Sequence, residues 1–88
     1  MGKLSSTQQK FLNEATHLGL ETSIVELPKL TVLLIKESVA TNPSEIRISA
    51  VEGARTHSHR ATIADYHNNI KRITLKDAGF KMLEWVGR

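Results

Sequence analysis

The sequence predicts a small, mainly helical domain with about four helices and at most a short β-hairpin. Three observations point there. Residues 5–18 and 74–86 each open with a capping signature and continue at helical spacing. Pro28 and Pro43 each stand where a helix accepts proline, at its first turn. The alternation of apolar and basic residues in "IKRI" is brief, enough for one short strand at 70–73.

Each element has its own grounds. Ser5 is placed to cap the first helix while Gln8, three residues on, reaches back to it. Phe11, Leu12, Ala15 and Leu18 follow at helical spacing, and Gly19 sits where a left-handed C-cap is usual. Ile24, Val25 and Leu27 read as a short strand leading into Pro28. From there a buried helix over 28–39 is expected, with Leu30, Leu33 and Leu34 inward, although the β-branched run keeps a strand open. Asn42 as N-cap, Pro43 at the first helical position and Glu45 near the dipole predict a third helix over 43–54. Its inner face would be Ile46, Ala50 and either Val51 or Ala54; alternation in "IRIS" offers a strand instead. Thr74 caps the last helix, Asp77 completes a T-x-x-D box, and Leu75, Ala78, Met82, Leu83 and Val86 trace one face.

Composition narrows the classes. A chain of 88 residues makes one domain, near the lower size limit for independent folding. The absence of cysteine excludes disulfides and thiolate metal sites. Its longest apolar run, 32–35, is far too short to span a bilayer, and no signal-like segment opens the chain. A soluble, cytoplasmic protein is expected. The formal net charge of +3 is unevenly placed: four lysines balance four glutamates up to residue 42, so the excess lies beyond it. Between Gly53 and Lys76, five basic residues and three histidines face a single acid, Asp65. Such asymmetry marks an anion-facing surface.

The stretch "SEIRISAVEGARTHSHRATIADYH" has room for a helix, a glycine turn at Gly53 and a second helix from about Thr56. That is a helix-turn-helix pattern, whose second helix would lay its first residues into a major groove. Arg55, His57, Ser58 and Arg60 are then the groove candidates, and Arg47, Lys71, Arg72 and Lys76 the phosphate candidates. Residues 43–86 also resemble winged-helix regulators, through Ile73, Thr74, Lys76, Gly79 and Leu83. The resemblance implies a DNA-binding transcriptional regulator acting on double-stranded DNA. Asp77 and Ala78 are inserted before the glycine, and His59 stands where an apolar residue usually packs the recognition helix. A rival local reading makes 60–75 a β-hairpin turning at Asn68 and Asn69, with 43–54 as the recognition helix and Arg60, Lys71 and Arg72 on the wing.

Metal chemistry is disfavoured. His57 and His59 diverge on a helix, and Arg55 and Arg60 repel a cation; only on a strand would the two histidines share a face, with His67 as a third ligand. No catalytic spacing is present either, so neither an enzyme nor a cofactor is expected. Phe80, off the apolar stripe of the last helix, suggests a homodimer through that helix. The alternative from another class is a protein-interaction module, an inhibitor or adaptor that binds no nucleic acid.

Overall fold

Both terminal helices form where their caps place them. The computed structural model describes residues 4–38, 40–52 and 57–87, apart from the side chains of Glu52 and His57. Helix α1 is Ser6–His17. Ser5 Oγ accepts the Gln8 N–H and Gln8 Oε1 accepts the Ser5 N–H, each at 3.1 Å. The helix closes with Gly19 at φ 79°. Gly19 N–H donates to the Thr16 carbonyl and Leu20 N–H to that of Ala15, the bond pair of a Schellman end. Helix α2 is Leu75–Val86, capped by Thr74 Oγ1 accepting the Asp77 N–H at 3.0 Å.

Among the described residues between them, all the regular structure is strand. Strands β1 (Glu21–Leu27), β2 (Leu30–Lys36), β3 (Glu45–Glu52), β4 (His57–Ala64) and β5 (Ile70–Ile73) form one antiparallel meander in chain order. This overturns the expected mainly helical fold, and with it the helix-turn-helix or winged-helix arrangement of about four helices. The helix expected over 28–39 is the second strand of a two-residue hairpin, with Pro28 and Lys29 as its loop. Pro28 fixes the first turn dihedral and Lys29 takes φ 63° at the second, the pattern of a type II turn. The helix expected over 43–54 is β3, and the recognition helix expected from 56 is β4. Of the rival reading, the hairpin is present as β4–β5, with Asn68 at φ 63°, but strand β3 over Glu45–Glu52 stands in place of its helix.

The reason is packing. A cap such as Asn42 contributes about 1 kcal/mol, whereas each side chain the strands bury contributes about 1.5–3 kcal/mol. Ile46, Ile48 and Ala50 alternate inward along β3 and are buried, as are Leu33 and Ile35 on β2. Cross-strand register aligns Ile24, Leu33, Ile48, Ala61 and Ile73 in one row on that face. Ala15 of α1 and Ala78, Met82 and Trp85 of α2 join the same core, so both helices cover one face of the sheet. On α2 the inward residues differ from those expected: Trp85 is 3% exposed, whereas Leu83 and Val86 are 51% and 43% exposed. Among the described residues, no helix is long and apolar enough to cross a membrane.

Candidate nucleic-acid interface

Side chains alternate across a strand, so the residues between the core positions stand on the opposite face. Neither helix covers that face, because both pack on the other. Its residues fall in cross-strand rows. One row runs Ser23, Leu34, Arg47, Thr62, Arg72; the next runs Val25, Val32, Ser49, Arg60. The face therefore divides. The β1–β2 half is mainly aliphatic, with Val25, Leu27, Leu30, Val32 and Leu34, and Val51 at the end of β3 continues it; the β3–β5 half carries Arg47, Arg60 and Arg72 among Ser49, Ser58 and Thr62, with Ile70 at its outer edge.

Ladder geometry sets the arginine spacing. Arg47 and Arg72 flank Thr62 from its two neighbouring strands, about 10 Å apart. Arg60 lies diagonal to both, at about 7–8 Å. The three define a triangle on a surface where, among the described residues of β3–β5, Glu45 is the one acid. Glu45 Oε1 accepts from Arg47 Nε at 3.0 Å, which orients that guanidinium along its own strand. Ser49 Oγ donates to the Arg60 carbonyl at 3.2 Å, tying the centre of the patch together. A shallow cavity of about 250 Å³ adjoins the triangle, with Arg47, Ala64 and Tyr66 in its lining. The Tyr66 side of that cavity is open, the residue being 60% exposed.

Of the residues singled out in the sequence, Arg47, Ser58, Arg60 and Arg72 come together on this open face. Lys71 does not: it pairs with Ile63 and stands on the helix-covered side, exposed at the β5 edge. Lys76 belongs to α2, its Nζ 5.9 Å from the Phe80 ring centre. Arg55 and the side chain of His57 lie outside the described residues. Ser49, Thr62 and Tyr66 were missed in the sequence; the alternation in "EIRIS" and "RATI" is the signal that places the first two.

The remaining polar residues have structural work. His59 Nε2 lies 2.7 Å from Ser5 Oγ, joining β4 to the cap of α1. Asp65 accepts from Asn69 N at 2.8 Å and Asn69 Nδ2 at 3.0 Å, which shapes the β4–β5 turn. Those bonds, the backbone one foremost, hold its carboxyl below the ordinary carboxylate range. His67 meets Tyr66 edge-on, ring centres 5.6 Å apart. Among the described residues, no three His, Cys, Asp or Glu side chains gather as metal ligands. No family model, curated protein or solved structure matches this chain.

Proposed function

We propose that the protein binds nucleic acid through its open sheet face, with Arg47, Arg60 and Arg72 contacting backbone phosphates. The arginine triangle carries this reading. Guanidinium groups hold phosphate oxygens through paired donors, and the Thr62 hydroxyl stands between Arg47 and Arg72 as a further donor, with that of Ser58 beyond Arg60. Shape favours a single strand over a duplex. Five strands at about 4.8 Å make a surface about 20 Å wide, too broad for a major groove of about 12 Å. A single strand instead lies across a sheet, its bases free to stack on an exposed ring. Tyr66, beside Arg47 at the same cavity, supplies one such ring. With phosphates as the main contacts, sequence preference is weak.

A labelled oligonucleotide titrated at several salt concentrations tests this. Three phosphate contacts predict that log K falls against log salt with a slope of about −2 for a single strand. Arg60→Ala should weaken binding by about tenfold, the loss of one charge-assisted contact. Lys71→Ala and Lys76→Ala, off this face, should change it little. Equal losses for all three would remove the sheet face from the account.

The aliphatic half of the face supports a second reading, a protein-interaction module. Val25, Leu27 and Val51 are 41%, 52% and 47% exposed there. A protein partner held by that half would keep its affinity in high salt.

A further inference from the structure

We infer that β1 is a self-pairing edge, through which two copies of this chain join their sheets with Ile24 on the two-fold axis. The two edges of the sheet are built differently. β5 has four residues, two of them Lys71 and Arg72, and short charged edges resist further pairing. β1 has seven residues with neither lysine nor proline among them. Three of the nine exposed large hydrophobic residues described, Ile24, Val25 and Leu27, belong to it.

Backbone parity then selects the register. Glu37 N–H donates to the Ser44 carbonyl beyond the end of the β2–β3 ladder. Antiparallel pairs alternate, so odd-numbered residues of β2 turn their backbone groups to β3 and even-numbered ones to β1. Their β1 partners Glu21, Ser23, Val25 and Leu27 are thereby satisfied. Thr22, Ile24 and Glu26 turn their N–H and C=O groups outward, away from the sheet. An antiparallel second copy centred on Ile24 uses all of them. Ile24 meets Ile24 of the second copy, and Thr22 meets Glu26 of the second copy on either side. A shift by two residues in either direction leaves one of the three outward residues on each copy without a partner of this set.

Charge agrees with the same register. Glu26 opposes a threonine and Glu21 opposes Leu27, so no glutamate faces another across the junction, an arrangement that like charges would weaken. The two-fold axis stands perpendicular to the sheet, so both arginine triangles open on the same side of a ten-stranded surface. This inference stands apart from the nucleic-acid reading and does not depend on it.

Sedimentation equilibrium over a wide concentration range, without nucleic acid, tests it. The wild-type mass should rise from 9.8 kDa toward twice that value. Ile24→Pro removes an N–H that bonds nothing within the monomer, and edge strands accept proline there. It should raise the dimer dissociation constant about tenfold or more, with two backbone bonds lost per dimer. Far-UV circular dichroism checks that this variant folds; if it does not, Ile24→Lys, which sets like charges face to face, takes its place and should have the same effect. Leu83→Lys, on the exposed face of α2, should leave the dimer intact. A wild-type protein that stays monomeric throughout would overturn the inference, as would a dimer that survives the β1 substitutions. Loss of the dimer in Leu83→Lys alone would assign the contact to α2 instead.

Discussion

Trp85→Ala is expected to cost about 3–5 kcal/mol, close to the whole margin of a domain this small. Trp85 is the one tryptophan of the chain. It is 3% exposed and shares the core with Met82 and Ala78, both 0% exposed. Its removal leaves a cavity between α2 and the sheet, and no other aromatic ring is among the described buried core residues. Leu83→Ala, two residues away on the opposite, exposed side of the helix, should cost less than about 1 kcal/mol. Urea unfolding followed by far-UV circular dichroism separates the two. Equal costs would mean that α2 packs through a different face from the one described here.

The second large effect is expected at Gln8, a polar side chain at 0% exposure in the middle of the fold. Its Nε2 donates to the carbonyls of Thr31 and Ile48, both at 2.8 Å, and so fastens α1 across β2 and β3. Its Oε1 accepts the Ser5 N–H. Gln8→Ala removes three bonds of about 1 kcal/mol each and leaves a cavity, for a loss of about 3–4 kcal/mol. Gln8→Glu is the sharper probe. Its carboxylate would face two carbonyl oxygens with no proton to offer, while its protonated form could donate to one. Burial and those oxygens would raise its folded pKa above the unfolded value of about 4.3. The penalty is then full above the raised pKa and is relieved as pH falls toward 4.3. Thermal melts at pH 7 and pH 5 should bring Gln8→Glu nearer to the wild type at the lower pH. A gap that does not narrow would show that the side chain is not held between those carbonyls.

The ends of this protein were legible in its sequence, and the middle was not. Ser5, Gln8 and Gly19 bracket α1, and Thr74 with Asp77 starts α2, because caps are local chemistry that needs no tertiary partner. The strands failed for two different reasons. In β2, Leu33 and Ile35 face the helices while Leu30, Val32 and Leu34 line the open side, so apolar residues on both faces hide the alternation and imitate a buried helix. In β3 the alternation of Ile46, Arg47, Ile48 and Ser49 was visible, but Asn42, Pro43 and Glu45 offered a competing helix start. Cross-strand pairing decided between them, and that is invisible in a local window. The charge reading shows the same division. The excess of basic residues beyond residue 42 was plain, and Arg47, Arg60 and Arg72 were among those named. Lys71 and Lys76 are near them in sequence alone: strand parity sets consecutive residues 71 and 72 on opposite faces, and Lys76 belongs to α2.

That parity is also the basis of the proposed interface, so the most direct measurement reads the arginine side chains themselves. In a ¹H–¹⁵N spectrum, the Nε–H signals of Arg47, Arg60 and Arg72 can be followed as a short single-stranded oligonucleotide is added at low salt. The account predicts that these three shift together and saturate with one affinity, with Tyr66 moving alongside them. Backbone signals of the exposed α1 and α2 surfaces should stay in place. Unmoved arginine signals, or shifts confined to the helices, would contradict the claim that the open sheet face is where this protein meets nucleic acid.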